Sequence, residues 1–196
     1  MLTLRLSNQW TNTILSDKDA RTFITGLGLQ WGGKHQLDQI SAAYPEMRLM
    51  QTESECGAGT NSWQQMEYIW DLMWQYFKHG TERYIYWNSI LPEGGESTWG
   101  WQQNSLATVD DKGSIKYNPE FYLMKHFSHF INPGAVYLSV KGVWSANTLA
   151  FENPDGSIVL ILSSNMNRER VFCFSDKKGN FSAVIEPNSL HTFVIR

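Results

Sequence analysis

The octapeptide Met50-Gln51-Thr52-Glu53-Ser54-Glu55-Cys56-Gly57 passes from apolar to doubly acidic and then opens into a glycine-bearing loop. A carboxylate at the end of a buried strand is a candidate nucleophile, acid or base, because strand ends and their following loops form the mouth where a parallel βα sheet gathers reactive groups. A solvated acidic turn is the plain alternative. Residues two apart in an extended segment share a face, so Glu53 and Glu55 could both enter such a mouth and titrate as a pair. Two other strand-like segments end on Gln30-Trp31 and on Trp87-Asn88. Together these types suit a hydroxyl-rich ring: amides donate and accept without charge, indoles stack on apolar sugar faces, and two carboxylates about 5–5.5 Å apart can act as nucleophile and acid/base in retaining glycoside hydrolysis.

The elements that must position these residues follow from hydrophobic periodicity. Phe23 to Leu29 is expected to be a buried strand, Gln36 to Ala43 a short helix stopped by Pro45, and Met47 to Thr52 the next strand. Ser62 to Lys78 is the clearest helix: Trp63, Met66, Trp70, Met73, Trp74 and Phe77 recur at three- and four-residue steps, Asn61 or Ser62 can cap it, and Gly80 follows its end. That aromatic stripe reads as core packing against a sheet. Tyr84 to Asn88 is the expected third strand, Leu91 to Tyr117 a long loop, and Pro119 to Phe130 a helix with Asn118 as its N-cap. After Asn132-Pro133-Gly134 the period changes. Short strands near 136–140, 148–151, 158–162, 171–174, 182–185 and 190–195 are divided by turns at Asn153-Pro154-Asp155-Gly156, Lys178-Gly179-Asn180 and Pro187-Asn188. The fold class expected is therefore α/β plus β, about three βα units over residues 1–131 and an antiparallel β-sandwich over 132–196.

Composition narrows the classes further. A net charge of -3 without long runs of either sign leaves no electrostatic footprint for nucleic acid or an anionic membrane. Cys56 and Cys173 fit no metal or disulfide framework, and His126 and His129 share a helix without a third ligand, so neither metal nor cofactor is expected. No apolar run reaches the ~18 residues of a membrane span, and Met1-Leu2-Thr3-Leu4-Arg5-Leu6 is too short to be a secretory signal. Nine Trp, eight Tyr and ten Phe add stacking surface, Trp99 among it, with ordinary packing the plain alternative for Trp87.

The order Thr52-Glu53…Cys56, a long amphipathic helix, Tyr86-Trp87-Asn88…Leu91-Pro92-Glu93-Gly94-Gly95, and Tyr117-Asn118-Pro119-Glu120-Phe121-Tyr122…His126-Phe127-Ser128-His129-Phe130-Ile131-Asn132-Pro133-Gly134 resembles glycoside hydrolase family 30, from about Asp17 onward. That family includes glucosylceramidases and β-1,6-glucanases. The resemblance implies a (β/α)₈ TIM barrel with an appended sandwich and retaining chemistry on β-linked glucosides. It implies Glu53 as nucleophile at the end of the seventh barrel strand, with Glu55 the alternative, and it implies that Trp31, Trp87 and Asn88 line the sugar site; Gln30, from its strand-end position, and Trp99, as a stacking surface, complete the substrate-binding candidates. Members are often secreted or lysosomal.

The chain departs from the family's pattern at Gln30-Trp31-Gly32, where members commonly carry His-Trp-Tyr. The Asn-Glu-Pro-like motif that holds the family's acid/base after the fourth barrel strand is not found. The resemblance therefore implies the C-terminal portion of such a barrel, strands six to eight, with a complementary N-terminal barrel fragment as a partner. A non-catalytic carbohydrate-binding remnant is the second reading. A structural interaction module built on residues 135–196 is the third, and it leaves the strand-end carboxylates and amides without a role.

Overall fold

The structure is a computed structural model describing residues 1–5, 9–177 and 179–196. Leu6 of the N-terminal run and Lys178 of the expected turn lie outside the described residues. The chain forms two compact units, Met1–Phe121 and Tyr122–Arg196.

The first unit is built on a four-stranded parallel sheet in the order β1-β2-β3-β4, with β1 Leu2–Leu4, β2 Gly26–Gln30, β3 Arg48–Glu53 and β4 Thr81–Tyr84. β1 pairs with β2 through Leu2↔Leu27, Thr3↔Gly28 and Leu4↔Leu29, so the sheet has one more strand than the sequence pattern suggests. Three residues are too few to show a period, which is why β1 is invisible without its partner. Between β1 and β2 lie helices α1 Gln9–Ser16 and α2 Lys18–Thr22. The Asp17 carboxylate accepts the Asp19 and Ala20 N–H groups at 2.9 and 3.0 Å, satisfying donors that a helix start leaves open. This cap extends helix where a strand was expected. Phe23 is its C-cap, 82% exposed, and the strand begins only at Gly26.

After β2 a 3₁₀ helix, Trp31–Gln36, leads into α3 Leu37–Ala43, which ends at Tyr44 because the residue before Pro45 cannot stay helical. α4, Trp63–Lys78, follows β3. Ser62 Oγ accepts the Gln65 N–H, and the buried face is Met66, Ile69, Trp70, Leu72, Met73 and Tyr76, while Trp63 and Trp74 are half-buried. The core stripe is thus offset from the expected one towards the aliphatic residues. Lys78 lies 4.4 Å from the Trp74 ring centroid, covering its outer face.

The third strand lies earlier than the expected Tyr84 to Asn88 and shares only Tyr84 with it. β4 stops at Tyr84, and the chain beyond it is held by backbone bonds from Ile85 N–H to Gln51 O and from Ser54 N–H to Ile85 O, both 3.2 Å, together with side chains: Gln51 Oε1 accepts the Ile85 N–H at 2.9 Å, and Ser54 Oγ accepts the Trp87 N–H at 2.9 Å. The expected long loop contains a small sheet of its own, β5 Ile90–Pro92, β6 Ala107–Val109 and β7 Ile115–Tyr117. Its β6–β7 turn is set by Asp110, whose carboxylate accepts the Lys112 and Ser114 N–H groups, and by Gly113 at φ +80. α5, Pro119–Ser128, begins here, and from Tyr122 onward its residues belong to the second unit.

The second unit has an antiparallel sheet ordered β13-β10-β9-β8 and a two-stranded sheet β11-β12. The strands are β8 Val136–Leu138, β9 Thr148–Glu152, β10 Ile158–Ser164, β11 Arg170–Ser175, β12 Asn180–Ile185 and β13 Ser189–Ile195. All seven residues of β10 are buried, since both of its faces are covered. One face meets the two-stranded sheet in a core of Ala150, Ile158, Leu160, Leu162, Phe172 and Ile185, with the Phe172 and Phe193 rings stacked at 5.6 Å. The other face lies beneath α5, where Phe127 meets Phe151 edge-on and His126 Nδ1 lies 2.7 Å from Thr192 Oγ1. Among the described residues no helix is long and apolar enough to cross a membrane.

Candidate active site

The parallel sheet delivers its cargo at the C-terminal ends of neighbouring strands. β2 and β3 run in register until a shift between Leu29 and Gln30 sets Gln30 opposite Glu53. That irregularity brings the next residue, Trp31, over the end of β3. Its backbone lies at φ +43, a left-handed conformation that costs a bulky residue on the order of 1–3 kcal/mol and persists only where the surroundings enforce it. The Trp31 indole Nε1–H donates to Glu53 Oε1 at 2.9 Å. Arg5, just past β1, places its guanidinium 5.6 Å from the Trp31 ring centroid.

Glu55 has a different environment. Lys34 forms an ion pair and hydrogen bond with its Oε1, Tyr68 Oη–H donates to its Oε2 at 2.6 Å, and Lys34 Nζ also donates to Tyr68 Oη at 2.9 Å. Burial pulls the Lys34 ammonium down, but its bonds to Glu55 and Tyr68 outweigh this and hold it above its ordinary value. Burial raises the Tyr68 phenol, and its bond to the Glu55 carboxylate raises it further. Ser54, between the two carboxylates, is buried and holds the Trp87 backbone.

An open cleft of about 710 Å³ is lined by Arg5, Trp31, Cys56, Glu96, Trp101 and Gln102 among others. Of the residues singled out from sequence, Trp31 lines this cleft, with Glu53 hydrogen-bonded to it. Gln30, Glu53, Glu55, Trp87, Asn88 and Trp99 are not among the lining residues. The Trp87-Asn88 peptide is cis, Trp87 is 41% exposed, and Asn88 Nδ2 donates to Gln103 Oε1 at 2.8 Å. Trp99 is 72% exposed and stands beside Trp101, with ring centroids 6.2 Å apart. Burial pushes the Cys56 thiol up, and the Glu53 and Glu55 carboxylates add to this.

Three consecutive buried residues tie the site's loops together. Gln103 holds Asn88, Asn104 N–H donates to the Cys56 carbonyl at 2.6 Å, and the Ser105 N–H donates to Asn61 Oδ1 at 3.0 Å. Asn104 Nδ2 also donates to Glu120 Oε1 at 2.7 Å. Glu120 is fully buried, and burial raises its carboxyl above the ordinary value against the opposing effect of the Asn104 bond. Gly57, at φ +63, packs so closely on Asn104 that a Cβ there would lie 2.8 Å from its side-chain carbon. Sequence reasoning missed Arg5, Lys34, Tyr68, Trp101 and Glu120 as parts of this arrangement. Only Trp101 carried a local signal, the Trp-Gly-Trp repeat it shares with Trp99.

A parallel βα sheet with carboxylate, indole and amide side chains at its strand ends, continued in the chain by an antiparallel sandwich, is the architecture of part of a βα barrel with an appended β domain. Residues 3–131 match the TIM-barrel domain of glycosyl hydrolase family 30, and residues 134–193 match that family's beta sandwich domain. Lysosomal acid glucosylceramidase of Mus musculus is 28% identical over 211 residues, covering 96% of this chain and 40% of the mouse protein. An endo-1,6-beta-D-glucanase of Neurospora crassa is 29% identical over 99 residues, covering 46% of this chain and 21% of the fungal one. The crystal structure of SrfJ from Salmonella typhimurium matches with a TM-score of 0.82 at 24% identity, over 95% of this chain and 44% of that one. The chain belongs to glycoside hydrolase family 30. Its fold is the C-terminal part of a (β/α)₈ barrel followed by a β-sandwich, and it spans less than half the length of these relatives.

Proposed function

We propose that this chain carries the nucleophile-bearing part of a retaining β-glycosidase that hydrolyses β-glucosidic bonds, in glucosylceramide or in β-glucan. The observation that supports this most is the contrast between the two carboxylates. Glu53 ends β3 with its Oε1 on a single indole N–H, whereas both Glu55 oxygens are engaged by a cation and a phenol. That the mouse relative is a glucosylceramidase and the Neurospora relative an endo-1,6-beta-D-glucanase supports the substrate class.

In this reading a Glu53 oxygen attacks the anomeric carbon as the bond to the leaving oxygen breaks. A carboxylic acid from a complementary N-terminal barrel portion protonates that oxygen, and the same group, now a base, activates the water that releases the sugar. Counting back from β4 as the eighth barrel strand, β3 is the seventh and β1 the fifth. We place the barrel portion at residues 1–131 and the sandwich at 132–196, a division supported by family matches that end at 131 and begin at 134. Gln30, Trp87 and Asn88 remain assigned to the sugar, and Trp99 to a neighbouring sugar or aglycone.

General acid help is worth about 10²–10⁴ in rate, so the test uses a leaving group that needs none. Dinitrophenyl 2-fluoro-β-glucoside is incubated with the chain and the labelled peptide is identified by mass spectrometry. A label on Glu53 is expected; a label on Glu55, or none on folded protein, would overturn the assignment. The exposed Trp99–Trp101 pair favours a second reading, carbohydrate binding without turnover. Under that reading, gluco-oligosaccharides quench tryptophan fluorescence in a chain that takes no label.

A further inference from the structure

We propose that Trp31 is a positioning residue for Glu53: its indole N–H fixes one carboxylate oxygen so that the other meets the anomeric carbon. This rests on the reading of Glu53 as nucleophile. Sequence patterning assigns Trp31 only a stacking role, and the geometry gives its ring a different occupation. The indole edge is spent on Glu53 Oε1 at 2.9 Å, and the Arg5 guanidinium lies 5.6 Å from the ring centroid on one face. At most one face is left for a sugar.

Three independent features set the indole there. The β2–β3 register shift after Leu29 places Gln30 beside Glu53 and so fixes where Trp31 starts. The left-handed backbone at φ +43 turns Trp31 out of the strand direction that residue 31 would otherwise follow. Arg5, on the adjacent strand end, is placed to attract the ring electrostatically. A freely rotating carboxylate must lose rotational freedom during attack, whereas one held by a preset donor has already lost it, and misplacement by about 1 Å can cost about a hundredfold in rate.

The experiment compares wild type, Trp31→Phe and Glu53→Ala with dinitrophenyl 2-fluoro-β-glucoside, separating the first-order inactivation constant from the half-saturating probe concentration. Phe keeps an apolar ring and removes the donor. Trp31→Phe should lower the inactivation constant about ten- to hundredfold and leave half-saturation within about twofold. A stacking role would instead raise half-saturation. Inactivation by Trp31→Phe at the wild-type rate overturns the proposal and leaves the nucleophile reading intact. A wild-type label on Glu55, or none, overturns the nucleophile reading and the positioning role with it. Because Trp31→Phe can also perturb folding, a second measurement uses native side chains at position 31. The Trp31 Nε1–H proton resonance should lie downfield in the wild type and move upfield in Glu53→Ala, and an unchanged resonance refutes the contact itself.

Discussion

Replacing Glu120 by Gln should make the stability of the first unit less dependent on pH, and the direction follows from where the carboxyl sits. Glu120 is fully buried, its Oε1 accepts the Asn104 amide, its Oε2 has no hydrogen-bond partner, and burial raises its affinity for a proton. Above the ordinary glutamate value of about 4.3, the unfolded chain has lost this proton while the folded chain keeps it, so the folded state binds more protons and stability falls as pH rises. The loss is complete once pH passes the folded-state value, and each unit of separation is worth about 1.4 kcal/mol. Gln keeps the acceptor for Asn104 and cannot ionise. Below pH 4 the variant should match wild type, and near neutrality it should be the more stable of the two, with the higher melting temperature. Glu120→Ala removes the acceptor as well. It should cost about 2–4 kcal/mol at every pH, from an orphaned buried amide and the lost packing. Every Trp but Trp144 precedes residue 121, so tryptophan fluorescence during urea unfolding reports chiefly on this unit. Equal slopes of stability against pH for wild type and Glu120→Gln between pH 4 and 7 would refute the reasoning.

Other positions give sharper single outcomes. Lys34→Met should destabilise the first unit by about 1–3 kcal/mol, because Glu55 is mostly buried and keeps only Tyr68; urea titration at pH 7 measures it. The raised Lys34 value also means that its contribution is complete below pH 10 and lost as pH rises through the folded-state value, which alkaline unfolding would show. Gly57→Ala combines positive φ with a 2.8 Å approach to Asn104 and should cost about 1–3 kcal/mol in thermal unfolding while slowing covalent labelling. Leu160→Ala, at a fully buried position of β10, should cost about 2–5 kcal/mol in the second unit, read from the hydrogen-exchange protection of the β9, β10 and β13 amides.

The parts of the fold that sequence made legible are those with a period of their own. α4 repeats its apolar positions over sixteen residues and carries its own cap, and the sandwich strands are set off by Asn, Pro, Asp and Gly turns. Where the pattern misled, a non-local interaction decided the outcome. β1 exists through its pairing with β2, β4 gives way to side-chain tethers from Gln51 and Ser54, and β5, Ile90–Pro92, takes its partner from across the loop at Ala107–Val109. The candidate site shows the same division. Glu53 is visible as the end of an apolar run, but its donor Trp31 lies 22 residues earlier, and Lys34 and Tyr68 lie 21 residues before and 13 after Glu55. No local spacing encodes contacts that depend on strand register.

The run Gln103-Asn104-Ser105 clasps two loops at three points with three adjacent residues, Asn88 after β4 and Cys56 and Asn61 between β3 and α4. A one-residue insertion there would misdirect all three clasps at once, whereas the stretch before it, closed by the Glu96↔Gln102 bridge, is anchored at its two ends. The chain thus separates a cassette, roughly Glu96 to Gln102 with Trp99 and Trp101 on it, from a fixed clasp on the loops after β3 and β4. Cassettes of other lengths should be exchangeable at that point with the clasp left in place, so the cleft wall that carries Trp101 can diversify while the Trp31–Glu53 contact stays constant.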